Sequence, residues 1–436
     1  MSIPRALLAI LCLTSLTLIG CSKGSNSDQG NAQMRVVNAF SQANALDVTV
    51  NAKPVVSTLP FQSSTQYNST DSGSQIVTVG VTGASTALVN STYNLGSNTN
   101  FSFVIFGPQT AVGALLLNDA FNNPGDGFFA MRFINAAPGP AGLDLYLTAP
   151  GADLSATAPA VSNTSYASSS LFLPIAIGNL FQIRITPAGT KDVIYDSASQ
   201  TFAFAEHSGT SIVAFGKGSG KLVNVAILRD DDAGTSLLVD NLLTQYKMVN
   251  ASLAPSALNV FVDGSLQLSN VPFTGVSTYQ RTTAGAHTFN IEATTTPGAS
   301  LLTLAPSLAP ATDTAIVVTG TAGALTTTLY NNPNFPPALG QAIVRFVNST
   351  IDVAALDVFI NFSRQVSGLT MNSASAGIAL DADPTAGTTY EFDFNVSGTS
   401  QASLQLPAVQ LLGGHLYTIY VVGPRSALAG VVSQDN

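Results

Sequence analysis

Four near-copies of one short phrase constrain this chain more than any other feature. MRVVNAF begins at Met34, MRFINAA at Met131, YKMVNAS at Tyr246 and VRFVNST at Val344. Aligned on Asn38, Asn135, Asn250 and Asn348, the copies lie 97, 115 and 98 residues apart. A period near one hundred is too long for a solenoid unit and suits one small β domain per copy. Two nearly equal spacings flank a longer one, which reads as a two-repeat unit that was duplicated. The extra length falls around Leu228 to Gln245, the expected joint between the pairs.

The likeness runs on past the phrase. LDVTV at Leu46, LDLYL at Leu143, LNVFV at Leu258 and LDVFI at Leu356 each place apolar residues at positions one, three and five. That alternation predicts a half-buried strand. LPFQSSTQY, APAVSNTSY and VPFTGVSTY come next, setting Tyr67, Tyr166 and Tyr279 at matching positions, while the fourth copy reads as divergent, LTMNSASAG. A glycine then opens a further strand, and each repeat closes like FSFVIFGPQTAVGALLLN, with an apolar strand, a glycine turn and a last strand. Sustained helical periodicity is missing beyond the first twenty residues. The expectation is an all-β chain of tandem antiparallel β-sandwich domains, immunoglobulin-like or transthyretin-like, over 34–122, 130–230, 245–332 and 341–436, with a joint at 231–244.

The tandem phrases resemble the domain-of-unknown-function 4397 family. The residues that carry the resemblance are Arg132-Phe133-Ile134-Asn135-Ala136 with Leu143-Asp144-Leu145-Tyr146-Leu147, and their counterparts in the other copies. The third copy departs, with Lys247 for the arginine and Asn259 for the aspartate. The resemblance implies extracytoplasmic β-sandwich repeats, often on lipoproteins or secreted proteins, and implies no activity.

Each cation stands twelve residues before an acid: Arg35 and Asp47, Arg132 and Asp144, Arg345 and Asp357. Both weaken together at Lys247 and Asn259, so an ion pair across the first hairpin is expected to fix register. A ligand site repeated four times is the other reading. The repeated asparagine is expected to bond local backbone where its strand ends.

The N-terminus supplies an address. An apolar run from Ala6 to Ile19 follows Arg5 and is short for a membrane span but fits a signal-peptide core. It ends in Leu18-Ile19-Gly20-Cys21, which resembles the lipobox of bacterial lipoproteins. The expectation is a signal over 1–20, lipidation at Cys21 and a flexible tether over 21–33. Cys12 would be removed with the signal, leaving Cys21 alone and no intrachain disulfide. Ser22 after the cysteine resembles the outer-membrane sorting choice, on either its periplasmic or its surface face. Only 9% of residues are charged and the net charge is -9, so there is no electrostatic footprint for nucleic acid.

Motifs for chemistry are scarce. GCSKG at Gly20 straddles the proposed cleavage site and cannot be a nucleophile elbow. GKGSGK at Gly216 has the wrong spacing for a phosphate loop, with Leu222 where Ser or Thr is required, and is read as a hairpin turn. His207, His287 and His415 have no paired spacing for zinc and read as exposed turn residues. Asp230-Asp231-Asp232 and Asp381 with Asp383 read as solvated loop charges or, at the joint, as calcium ligands. The tyrosines read as packing at a strand edge or as sugar platforms. Catalytic, metal and cofactor residues are therefore expected to be none. The partners expected are a membrane, through the lipid, and an envelope polymer, glycan or protein. The leading reading is a non-catalytic envelope or surface protein for interaction or adhesion. A periplasmic polymer- or carbohydrate-binding module is the alternative, and a hydrolase the remote one.

Overall fold

The computed structural model describes residues 30–435 apart from 42, 44, 108–111, 139–141, 179, 199, 218–221, 231–233, 322, 333–336, 338 and 339. Among these the chain is strand and loop, without a helix. In the first repeat the strands are β1 (Asn31–Asn38), β2 (Ala45–Val50), β3 (Lys53–Pro60), β4 (Asn68–Asp71), β5 (Gly73–Val81), β6 (Ala87–Leu95), β7 (Asn100–Phe106) and β8 (Gly113–Asn118). They form two sheets, in the orders β4-β1-β7-β8 and β3-β2-β5-β6. The tandem sandwich stands, with one addition: β1 and β7 run parallel. The same parallel pair recurs in every repeat.

The two sheets bury Met34, Val36, Leu46, Val48, Val77, Val79, Phe103 and Ile105 between them. β2 alternates, as its sequence requires, and turns its other face outward. Along most of their length β1 and β7 are buried on both faces, the pattern of a strand covered from two sides. Their second face carries Val37, Val104 and Phe106, which pack on Ile134, Val213, Phe215 and Leu228 of repeat 2. Repeats 3 and 4 meet in the same way through Val249, Val317, Val347 and Tyr420. The two-pair organisation is thus a packing fact: each pair shares an apolar layer between its β1-type sheets.

Repeat 2 comprises β9 (Phe128–Ala136), β10 (Gly142–Thr148), β11 (Val161–Ser165), β12 (Ser168–Ser169), β13 (Leu173–Ala176), β14 (Gln182–Pro187), β15 (Tyr195–Asp196), β16 (Gly209–Gly216), β17 (Val223–Arg229) and β18 (Ser236–Val239). The segment between the pairs is therefore partly strand: β18 adds to β17 at the sheet edge. Asn241 follows it, buried, and its Nδ2 donates to the carbonyls of Ile194 and Val223 at 2.9 and 3.0 Å. Lys217 with Asp313 and Arg281 with Asp192 tie repeat 2 to repeat 3.

The four asparagines do one job four times. Nδ2 of Asn38, Asn135, Asn250 and Asn348 donates to the carbonyl of Leu59, Thr164, Val271 and Leu369, at 2.9–3.0 Å, linking the two sheets. Each Oδ1 accepts the N–H two residues on. The local bond expected from the sequence is present, with a sheet-to-sheet bond added.

Those bonds also correct the alignment. Leu59, Thr164, Val271 and Leu369 are equivalent, so LTMNSASAG matches LPFQSSTQY residue for residue, and TSYASSSLF is the copy in repeat 2. Gln62, Ala167, Thr274 and Asn372 then coincide, and all four have φ between 58° and 67°. Phe172, not Tyr166, is the partner of Tyr67 and Tyr279, and Gly377 takes that place in repeat 4.

The expected Arg–Asp pairs do not form. β1 and β2 lie in different sheets, and the two side chains leave from opposite outer faces. Asp47, Asp144, Asn259 and Asp357 instead each accept, through Oδ1, the N–H of Thr58, Asn163, Asn270 and Gly368, at 2.7–2.9 Å. Those four residues have positive φ, from 49° to 68°, where the paired strand's register shifts. The second-strand acid is a bulge cap. Only an acceptor is needed, so Asn259 serves as well as aspartate.

Asp357→Ala is expected to cost about 2 kcal/mol at neutral pH, because the Gly368 N–H and the Ser397 hydroxyl lose their acceptor. Asp357→Asn should cost less than half of that. Bonds from Ser397, then from the Gly368 N–H, hold the Asp357 carboxyl below the usual aspartate range. The unfolded chain therefore binds that proton more tightly. The contribution is complete above the ordinary aspartate value and is lost as pH falls through the lowered folded value. Melting from pH 7 down to 3 should show the wild type converging on the asparagine variant below about pH 4. Parallel curves throughout would refute the cap.

Candidate functional site

The recurring cations converge between the repeats. Arg35 leaves the outer face of β1 and Arg132 the outer face of β9, and both are buried. Each reaches across to the closing strand of the other repeat. Arg35 pairs with Asp230 and donates through Nη1 to the Arg229 carbonyl at 2.6 Å. Arg132 pairs with Asp119 at 2.6 Å and donates through Nη1 to the Asn118 carbonyl at 2.9 Å. Nε of each arginine bonds its own repeat's serine, Ser102 or Ser211, and those hydroxyls donate to Asp119 and Asp230 at 2.7 Å. Tyr67 and Phe172 cover the two guanidinium groups at 4.9 and 4.5 Å. The arrangement is a pseudo-two-fold lattice of two cations and two carboxylates, closed to solvent.

The Tyr67 hydroxyl donates to Asp119 at 2.7 Å, and burial followed by the Asp119 charge pushes its titration far above the usual tyrosine value. Burial likewise pushes the Asp230 carboxyl up, against the opposing pull of Arg35. In the second pair Lys247 crosses to Asp435 and to Ser433, lies 5.2 Å from the Tyr279 ring, and shares Asp435 with Arg345 and Thr418. A ligand cannot reach cations held this way. They lock the repeats in register with one another, and the reading of four ligand sites falls.

The remaining sequence candidates scatter. Cys21, GCSKG, Asp231 and Asp232 lie outside the described residues. Asp230 is no solvated joint charge, being the buried partner of Arg35, so it is not available as a calcium ligand. Asp383 caps its own loop through the N–H groups of Thr385 and Ala386, which lower its carboxyl, Ala386 first. GKGSGK begins in the β16–β17 hairpin.

The histidines split. His287 is buried, contrary to expectation, with Nδ1 on Asp263 at 2.6 Å and Nε2 on the Thr283 carbonyl at 2.8 Å. It staples the Asp263–Gly264 hairpin tip to its neighbour and holds the Asp263 carboxyl low. His415 meets Gln434 at 3.0 Å. His207 is exposed, 3.5 Å from Asp126 and 3.8 Å from Glu206, its ring oriented by Asn123. One ligating atom from each of the three lies within 4.8 Å of the others. The cluster is open to solvent, without the water-excluding walls that catalytic electrostatics requires.

Sequence reasoning missed a concavity in repeat 2. In repeats 1 and 4 the outer sheet is closed by strands of nine and ten residues, Ala87–Leu95 and Ala402–Leu411. In repeat 2 that strand is β15, two residues long. The sandwich edge stays open, leaving a groove of about 290 Å³ lined by Phe202, Phe204, Ile227, Arg229 and Leu237, with Ser208 and Thr210 beside them.

The family model of the domain of unknown function DUF4397 matches twice, at 32–146 and 244–359. No curated protein matches the chain. Among solved structures, a candidate cell adhesion protein from Bacteroides uniformis ATCC 8492 shares 9% identity over 48% of this chain and 99% of its own, with a TM-score of 0.21. CBMbc, a family CBM26 domain from Eubacterium rectale Amy13K in complex with maltoheptaose, shares 11% over 45% and 95%, with a TM-score of 0.16. The multi-modular glycogen-degrading pneumococcal virulence factor SpuA shares 9% over 86% and 37%, with a TM-score of 0.17. Likeness at this level supports no argument about function. The two family matches start where each pair of repeats starts and together span more than half of the chain, so the protein belongs to the DUF4397 family.

Proposed function

We propose that the protein is a lipid-anchored, non-catalytic component of the bacterial cell envelope, held to the outer membrane through Cys21, whose paired sandwiches present loops and edges for interaction or adhesion. One observation carries the non-catalytic part. Every polar position that recurs through the repeats is engaged in holding the fold: the asparagines between sheets, the second-strand acids at bulges, the cations between repeats. What varies between repeats is edge and loop, where binding surfaces on rigid scaffolds reside. The anchor rests on Leu18-Ile19-Gly20-Cys21, on the apolar run before it and on the polar stretch after it. Among the described residues no helix is long and apolar enough to cross a membrane; this does not address a β-barrel.

Fractionation of a Gram-negative host expressing the full chain tests the anchor. The wild type is expected in the membrane fraction, carrying metabolically incorporated palmitate. Cys21→Ala should lose the label and leave the lipoprotein sorting route. An unlabelled wild type, or a labelled alanine variant, would overturn the anchor. Protease treatment of intact cells then separates a surface face, where the repeats are shaved, from a periplasmic face, where they survive.

A further inference from the structure

We propose that the open edge of repeat 2 binds a small amphiphilic carboxylate. Its apolar body would lie against Phe202, Phe204, Ile227 and Leu237, and its carboxylate on the Arg229 guanidinium. The inference is independent of the anchor. It rests on the non-catalytic reading only in treating the ligand as bound and not transformed.

Three observations carry it. The groove is a defect of one sandwich and not a general property of the repeat. Beyond β15 the chain returns across the opening, with a single bridge between Phe181 and Phe202 in place of a full ladder. One wall is aromatic and already ordered: Phe204 stacks on Phe129 at 4.5 Å with the planes 15° apart, and lies 5.8 Å from Phe181. The opposite wall is β17 with β18. Ile227 and Leu237 are register partners on the core-facing side of those strands, yet Leu237 is 53% exposed. An apolar side chain aimed at a core with nothing over it marks an unfilled half of a contact.

The cation is the third. Arg229 follows Ile227 by two residues on β17, so its side chain leaves on the same, groove-lining face. Its guanidinium makes no hydrogen bond or ion pair with any described residue, although its backbone carbonyl accepts from Arg35. Register places Asn118, Asn331 and Gln434 at the equivalent position in the other repeats. Only repeat 2 puts a charge there, and in repeat 2 that charge borders the groove.

Charge and shape select the ligand. A guanidinium recognises a carboxylate through two parallel N–H donors. The lining beyond it joins the apolar side chains of Phe202, Phe204, Ile227 and Leu237 to the hydroxyl residues Ser208, Thr210, Thr235 and Ser236, so an apolar body has a surface to lie against, and glucose is the competitor that the hydroxyls would favour. A volume of about 290 Å³ sits at the lower end of small-molecule sites, which fits a short chain or single ring with one charged end.

Octanoate is the probe, titrated calorimetrically into the full chain in lipid nanodiscs, with empty nanodiscs as the blank. Saturable binding with a dissociation constant below about 1 mM is expected. Arg229→Gln, which installs the side chain that repeat 4 carries at Gln434, should weaken binding about tenfold. Leu237→Glu, at an exposed position, should abolish it. Octanol, equal in length and uncharged, should bind the wild type about as weakly as octanoate binds the glutamine variant. Absence of saturable octanoate binding, equal affinity in Arg229→Gln, or preference for glucose or an acidic peptide over octanoate would each overturn the proposal. Should one variant misfold, judged by its circular dichroism melt, the other decides alone.

Discussion

Asp119→Ala is expected to destabilise the first pair of repeats by about 3–5 kcal/mol, the cost of removing one partner from a buried ion pair. The Asp119 carboxylate is almost wholly enclosed and accepts from Arg132 at 2.6 Å, from Ser102 and Tyr67 at 2.7 Å, and from Arg35 at 3.5 Å. Alanine leaves two buried guanidinium groups facing the single carboxylate of Asp230, with the Tyr67 hydroxyl stranded beside them. Calorimetry should show the first pair's transition falling by about 6–20 °C for a unit of this size. Hydrogen exchange should place the lost protection in β1, β7, β9 and β16, on both sides of the shared layer. Asp119→Asn, which keeps shape and some hydrogen bonding but not charge, should fall between. Asp71→Ala is the control: its partner Lys53 is exposed, and such pairs contribute at most about 1 kcal/mol. If Asp119→Ala moved the transition no further than Asp71→Ala, the lattice between repeats would be incidental to their docking.

The sequence contained more of this interface than a motif search takes from it. FSFVIF and MRVVNAF contain apolar residues at neighbouring positions, Phe103 to Phe106 and Val36 with Val37, whereas LDVTV alternates. The first pattern demands cover on two faces and the second on one. That contrast distinguishes the sheet that meets the neighbouring repeat from the sheet that meets water. What it cannot supply is the partner of a buried charge. Arg35 and Asp230 are 195 residues apart, and only the docking of two sandwiches brings them together. Twelve-residue spacing suggested a nearer acid, but β1 and β2 belong to different sheets, so closeness in sequence carried no closeness in space.

The asparagines were legible because their chemistry is local: an Oδ1 that caps the N–H two residues on needs no tertiary knowledge. The slip at Tyr166 has the opposite cause. SNTSYASSSLF is a run of small polar residues in which no side chain marks register, so one tyrosine was matched to another. The equivalence to Phe172 appears only through the backbone carbonyl that Asn135 reaches. The open edge of repeat 2 was hidden for a related reason. A shortened strand leaves no signature of its own, and the residues that expose the opening, Phe202, Phe204 and Leu237, look in sequence like ordinary strand residues.

Asn348→Ala is the second large effect, expected to cost about 3 kcal/mol and to lower the second pair's melting by about 6–12 °C. Asn348 has no exposed surface. Its Nδ2 donates to the carbonyls of Leu369 at 3.0 Å and Val353 at 3.2 Å, and its Oδ1 accepts from the Thr350 N–H at 3.2 Å and hydroxyl at 2.7 Å. Alanine strands these groups away from water, where each unsatisfied partner costs more than the bond contributed. Asn38→Ala, which breaks one bond to Leu59 and one from Phe40, should cost less, so the two variants rank the repeats by how many bonds the amide gathers. Asp at 348 separates the two halves of the role. A carboxylate can still accept from Thr350 but turns a negative oxygen toward two carbonyls. If the donor half dominates, Asn348→Asp is at least as damaging as alanine at neutral pH. It should recover partly on acidification, as a protonated carboxyl regains one donor. An aspartate variant as stable as the wild type at neutral pH would show that the turn cap, and not the link between sheets, holds this corner of each sandwich together.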